Sequence, residues 1–222
     1  MCGRYDLTAT PAQLEQEYAA ALKDEYLPSY NIFPSKMVLA IRDESSSRAI
    51  RLHRWGLITH WTKTAQLKND TKNAVGETLA DKPTFREAFK RHRCIVPATG
   101  FYEWQKKTKQ PYRIVPVGSE LLSLAGLYTT WRGSDGQVIE TCTIVTTTPN
   151  AVMEPLHHRM PVILSPDDYE AWLGANSSTE KLHQLLRPCP DSILNAYEVS
   201  RYVNSPSNDT AECIDPFTPE SA

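Results

Sequence analysis

The residues of this chain best suited to covalent chemistry stand at its start, in Met1-Cys2-Gly3-Arg4. If Met1 is removed, Cys2 carries a free α-amine beside its thiol. No internal cysteine offers that pair, because its nitrogen is held in an amide. The amine ordinarily titrates at about pH 8 and the thiol at about 8.5, so modest help from neighbours turns either into a nucleophile near neutrality. A 1,2-aminothiol has one obvious reaction with an aldehyde. The amine condenses to a Schiff base, and the thiol then closes a five-membered thiazolidine in an intramolecular step that proximity favours. Against this stands a plainer reading of Cys2 as a small apolar side chain near a chain end.

A carboxylate and an imidazole further along could serve such a reaction. Glu103 lies in Gly100-Phe101-Tyr102-Glu103-Trp104, where aromatic neighbours would strip water from the carboxylate. Its competing reading is an exposed acid on an edge strand. His157, in Leu156-His157-His158-Arg159-Met160-Pro161, is the residue type suited to proton transfer near neutral pH. His157 and His158 make a poor zinc site, since adjacent side chains diverge and no Cys or His partner has ligand spacing. No metal or cofactor is expected.

The 222 residues suffice for a full hydrophobic core, and 41% hydrophobic content with no biased tract marks a globular protein. No apolar run reaches membrane-spanning length, and the start lacks a basic-then-apolar signal pattern. The five cysteines, Cys2, Cys94, Cys142, Cys189 and Cys213, are odd in number and widely spread. That argues against a disulfide framework and fits a reducing cytoplasm. Net charge is −2, yet residues 42–113 hold 16 Lys or Arg against 7 Asp or Glu. A basic middle in an acidic protein is what a phosphate-binding face would look like; a solvated charged surface would look the same.

Those residues must be positioned by the elements that the pattern predicts. Residues 3–8 read as a strand. Thr10-Pro11-Ala12-Gln13 starts a helix over 10–23, with Thr10 as N-cap, Pro11 in the first turn and Gln13 closing a capping box. Tyr30 to Pro34 reads as a loop or extended piece with an exposed aromatic and Asn31. Met37 to Ile41 and Arg48 to Trp55 form a hairpin. A loop of about 25 residues follows from Leu57 to Asp81, long enough to be functional. Pro83 to Phe89 is a short helix, and Cys94 to Pro97 a buried strand. Three further strands, Tyr112 to Val117, Leu121 to Tyr128 and Val138 to Thr147, have short links, which favours a curled sheet or partly open barrel. Short helices are expected at Thr148-Pro149-Asn150, from Ser165 to Leu173, and from Thr179 to Arg187. Val199 to Val203 reads as a last strand, followed by a frayed tail from about residue 210. One α+β domain over 1–222 results, with a curved antiparallel, barrel-like sheet and flanking short helices.

Several of these stretches, taken in order, resemble one family. They are Met-Cys-Gly-Arg at the start, Asn31 to Pro34, Trp55-Gly56, Asn73-Ala74 with Glu77-Thr78, Gly100 to Trp104, His157 with Arg159 and Pro161, and Val199-Ser200. In order and spacing they are similar to the SOS-response-associated peptidase (SRAP) family, over roughly residues 2–217. The resemblance implies a protein that acts on abasic sites in single-stranded DNA. In that family Cys2, freed of Met1, forms a thiazolidine crosslink with the open-chain aldehyde of the deoxyribose. Asn73, Glu103 and His157 match its active-site positions, and Arg4 and Arg159 match positions that contact phosphates. Trp61 and the Asn31–Pro34 loop match segments lining the strand's path, where Trp61 would stack on an unpaired base. The family carries Arg two positions after the Asn, where this chain has Val75. A phosphate contact is then missing or supplied by Lys72. The partner implied is single-stranded DNA with abasic sites, bound by a monomer without a membrane, in the cytoplasm or on the nucleoid.

Three activities remain open on the sequence. The first is a covalent abasic-site sensor, with strand nicking by β-elimination through the Schiff base. The second is a protease or amidohydrolase that uses N-terminal Cys2 as its nucleophile, for which removal of its own Met1 could be the only peptide cleavage. The third is a non-covalent single-strand binding module built on the basic middle and Trp61.

Overall fold

Runs of apolar residues alternating with polar ones build strands here, and the longest of them curl into a ring. The computed structural model describes residues 2–44, 47–66 and 71–217. In chain order β1 (Tyr5–Leu7) leads to α1 (Pro11–Tyr18), then β2 (Ala21–Leu22), β3 (Ser29–Ile32), β4 (Met37–Glu44), β5 (Ser47–Trp55) and β6 (Asn73–Val75). Next come α2 (Pro83–Arg91), β7 (Arg93–Ala98), β8 (Gly100–Trp104), β9 (Pro111–Pro116), β10 (Leu122–Arg132) and β11 (Val138–Thr147). The chain closes with β12 (Met160–Pro161), β13 (Ile163–Leu164), α3 (Tyr169–Leu173), α4 (Thr179–Leu185) and β14 (Leu194–Glu198).

Strands β5, β4, β7, β10 and β11 pair in that order, and β11 returns to β5 through the parallel pairs Thr141–Arg54 and Cys142–Trp55. This five-strand closure makes the expected barrel and pairs one end of the β5 edge, which a curled sheet would leave open. A second antiparallel sheet, in the order β14-β9-β8-β1-β3, leans against it. The fold is therefore the expected single α+β domain. No helix among the described residues is long and apolar enough to cross a membrane.

The capping box at Thr10 and Gln13 forms as expected. The helix does not reach residue 23: Ala19 turns left-handed at φ 46° and stops it. Ala21 and Leu22 instead lie along Ala49 and Ile50 of β5. Edge pairing with the barrel outweighs the helical preference of the Ala run. No helix follows Thr148-Pro149-Asn150. The Asn150 side chain does accept the Met153 N–H at 3.1 Å, but Pro155 brings no N–H to continue a helix and the chain passes through turns. The last strand is Leu194–Glu198 on β9, not 199–203, where Ser200 caps a short 3-10 turn. The tail is not frayed up to Phe217. Cys213 is buried, Val199 bridges Pro216, and the Phe217 N–H donates to the Glu198 carbonyl at 2.8 Å.

One buried ion pair ties the second sheet together. Arg113 Nε and Nη2 donate to the two Asp6 oxygens at 2.9 and 2.8 Å, with Asp6 wholly buried. Removing one partner strands the other's charge, so Asp6→Ala is expected to cost about 3–5 kcal/mol. A lower urea midpoint with an unchanged slope checks it.

Candidate active site around Cys2

Cys2 is positioned by the ladder between β1 and β8. Tyr5 faces Phe101 and Asp6 faces Gly100, and the Tyr102 N–H donates to the Arg4 carbonyl at 2.9 Å. Carried further toward the N-terminus, that register runs Cys2 and Gly3 alongside Glu103. Cys2 is fully buried and Glu103 is 5% exposed, so the exposed-edge reading of Glu103 does not hold. Burial pushes the Cys2 thiol up to about 12, with the Glu103 charge adding to the shift. A bare thiolate beside a carboxylate is disfavoured in so dry a place. Passing the thiol proton to Glu103 removes that conflict, because it cancels the carboxylate's charge as the sulfur becomes a nucleophile.

Asn73 reaches the same spot from the barrel. The Trp55 indole N–H donates to the Lys72 carbonyl at 2.8 Å and the Ile144 N–H to the same oxygen at 3.3 Å. That seats β6 in parallel on β11. Asn73 Nδ2 then donates to the Cys2 carbonyl at 2.9 Å. Its Oδ1 is buried and has no partner among the described residues, which leaves an acceptor beside the N-terminal cysteine.

His157 arrives on the turn after Asn150, its N–H donating to the Met153 carbonyl at 2.9 Å. The Arg159 N–H donates to His157 Nδ1 at 3.0 Å. Nδ1 also lies 3.2 Å from the Arg159 carbonyl, so the backbone of that residue anchors this side of the ring. Burial holds His157 below the usual imidazole range, while the Glu103 charge pulls the other way. The Glu103 charge thus acts on both the Cys2 thiol and His157. Cys2, Asn73, Glu103 and His157, distant in sequence, meet at one locus.

The residues expected along a strand path are arranged less simply. Arg159 forms a bidentate pair with Glu77, both N–O distances being 2.7 Å, and also donates to the Thr146 carbonyl at 2.7 Å. Its fork is occupied, and a phosphate there would have to displace the half-exposed Glu77. Arg4 donates to Asn31 Oδ1 at 2.7 Å and to the Val203 carbonyl at 3.0 Å, and lies 5.6 and 5.7 Å from the ring centres of Phe33 and Trp104. Asn31 is not exposed. It is 2% accessible, and its amide N–H₂ faces the carbonyls of Val203, Ser205 and Asn208. It holds Arg4 and the C-terminal segment instead of facing solvent. Pro34 and Lys72 are half-buried. Trp61 is 53% exposed, with His60 set edge-on at 4.8 Å. The loop residues 67–70, including Lys68 and Asn69, lie outside the described residues.

The basic middle is also less free than its count suggests. Arg42, Arg48, Arg51, Arg91 and Arg113 stand in ion pairs with carboxylates, several of them outside residues 42–113. Arg93 is 3% exposed and donates to backbone carbonyls. Much of that excess charge holds the fold together. The Glu77 partnership of Arg159 and the Asn31 partnership of Arg4 carry no signal in local sequence, since each spans a long stretch of chain.

A family model described as SOS response associated peptidase (SRAP) matches residues 1–206. The chain is 42% identical over 222 residues to "Abasic site processing protein YoaM" of Bacillus subtilis (strain 168), a match covering 97% of this chain and 98% of that one. It is 33% identical over 266 residues to "Abasic site processing protein HMCES" of Gallus gallus, covering 98% of this chain and 78% of that one. Its backbone superposes with a TM-score of 0.88 on a crystal structure of a protein from Bacteroides thetaiotaomicron, 26% identical, covering 98% of this chain and 100% of that one. On the family-model match and the relatives' identity, the chain belongs to the SOS response associated peptidase family.

Proposed function

We propose that this protein processes abasic sites in single-stranded DNA by crosslinking to them. Cys2, with Met1 removed, condenses through its α-amine with the deoxyribose aldehyde and closes a thiazolidine through its thiol. The observation that carries the reading is the meeting of Asn73, Glu103 and His157 around Cys2. The family membership and the relatives' names support it.

The roles follow from the chemistry of each group. His157 gives a proton to the sugar ring oxygen as the ring opens to the aldehyde. Glu103 takes a proton from the Cys2 amine or thiol. Asn73 holds the Cys2 carbonyl and offers its free oxygen to the amine. Arg4 and Arg159 take phosphates, Arg159 after exchanging the half-exposed Glu77 for them, since its planar fork pairs bidentately with either anion. Trp61, and with it the Pro34 loop, carries an unpaired base. The Schiff base also opens a β-elimination route that nicks the strand. The test is intact mass spectrometry after incubation with an abasic single-stranded oligonucleotide. A heat-stable adduct of protein plus oligonucleotide less one water is expected, and its absence would return the protein to the peptidase or binding-module class.

Two further outcomes are expected. Active protein should lack Met1 in its intact mass, because a blocked amine forms no Schiff base; full crosslinking by Met1-retaining protein would sink the mechanism. Val75, half-buried on β6 beside Thr146, should weaken binding. Val75→Arg is then expected to steepen the plot of log affinity against log salt by roughly 0.7, one phosphate contact to a single strand. Crosslinking at saturating DNA should stay unchanged. If the slope does not move while Lys72→Ala lowers it, Lys72 already supplies that contact.

A further inference from the structure

Glu77 sits where one anion has to leave before Arg159 can hold another. It stands in the short 3-10 turn Gly76–Thr78, directly after β6. That turn is pressed onto β11. A Cβ on Gly76 would come 3.1 Å from the Thr146 carbonyl oxygen and 3.5 Å from the Leu186 Cβ, so glycine permits the close approach. The Thr78 hydroxyl donates to the Val75 carbonyl at 3.2 Å and Leu79 is buried, which pins the turn at its other end. Backbone thus holds Glu77 over Arg159, although the Glu77 side chain is 47% exposed.

The fold has little need of this pair. Half-exposed ion pairs contribute little stability. Arg159 keeps a second anchor, the donation from Nη2 to the Thr146 carbonyl at 2.7 Å. The pairing also leaves Arg159 Nε buried with no partner among the described residues, which costs it part of its strength. Yet it holds Glu77 below the usual carboxylate range, so the carboxylate stays an anion near neutrality. Arg159 meanwhile belongs to the site, since its own N–H donates to His157 Nδ1 at 3.0 Å. What needs a reason is a carboxylate laid across the arginine next to His157.

Connectivity supplies one. Glu77 meets Arg159 within the chain, at a high effective concentration. A phosphate of an undamaged strand has to arrive from solution and compete with it. A strand whose abasic sugar is already seated beside Cys2 and His157 presents its flanking phosphate locally, on equal terms with Glu77. We propose that Glu77 is a specificity-determining residue, which keeps Arg159 closed to undamaged single strands and yields it to a strand seated at Cys2. This rests on the crosslinking reading above, with Arg159 as a phosphate contact.

The experiment compares the natural protein with Glu77→Gln, Glu77→Ser, and Glu77→Gln combined with Arg159→Ala. Binding of an undamaged single-stranded oligonucleotide is followed by anisotropy across a salt series. An abasic oligonucleotide is then crosslinked in single turnover against rising undamaged competitor. Both single variants are expected to steepen the plot of log affinity against log salt by roughly 0.7, and to bind the undamaged strand about 5-fold tighter at roughly 0.1 M salt, as one gained phosphate contact requires. The competitor concentration that halves crosslinking should fall by the same factor. The combined variant should lose both gains, because the cation that Glu77 released is gone. No gain in either single variant would overturn the proposal. So would a gain that survives in the combined variant, since Glu77 would then only repel phosphates at large. Failure of the natural protein to form any adduct would instead sink the crosslinking reading, and it would show before any Glu77 variant is made.

Discussion

Cys2→Ala is expected to form no heat-stable adduct with abasic single-stranded DNA, the largest effect any single substitution should have here. The reason is one of atoms. Without sulfur there is no second bond to the sugar carbon, and an open Schiff base hydrolyses on heating. The Ala variant keeps its α-amine, so borohydride should still trap it on the DNA and slow strand nicking should persist. Cys2→Ser should behave in the same way or retain a weaker adduct. The control is another buried thiol. All five cysteines are free and buried, so Cys94→Ala removes a comparable group from the same core. Equal loss of the adduct in Cys94→Ala would mean that the nucleophile has been misassigned.

Removing either proton-transfer group is expected to slow adduct formation by on the order of 10²–10⁴-fold while leaving DNA binding intact. The two losses should differ in pH dependence. His157 must be protonated to donate to the ring oxygen, and its protonated fraction falls as pH rises through its pKa. Burial sets that pKa below the ordinary imidazole value. The rate should therefore fall with rising pH in a window on the acid side of about 6.5, and that limb should vanish in His157→Ala. Glu103 must be deprotonated to act as base. Glu103→Gln keeps the shape but cannot take the thiol proton, so the Cys2 thiol, held up chiefly by its burial, should close the ring slowly across the whole range. Rates unchanged in both variants, measured as single-turnover crosslinking across pH 5 to 9 with binding followed by anisotropy, would reduce the two residues to bystanders.

Much of the site was legible from residue types in order. An N-terminal aminothiol, an acid among aromatics and a histidine before Arg159 are chemical facts of the chain, and no fold is needed to see what they can do. The β4–β5 hairpin and the capping box at Thr10 were equally legible, because alternation and capping are local. What the tertiary structure decided is where long-range partners go. Ala19 turns left-handed although alanine has no preference for it, since Ala21 and Leu22 pair with the barrel edge. Asn31 reads as a solvent-facing amide, yet the C-terminal segment folds over it and takes its hydrogens. Arg159 matches a phosphate-contact position, yet the pairing of β6 on β11 brings Glu77 under its fork. Glu103 could have been an edge acid; the β1–β8 register makes it a buried neighbour of Cys2. Each outcome depends on sheet closure between segments tens of residues apart. Local sequence sets the chemistry a side chain can do, while closure of the barrel sets which other side chain it meets.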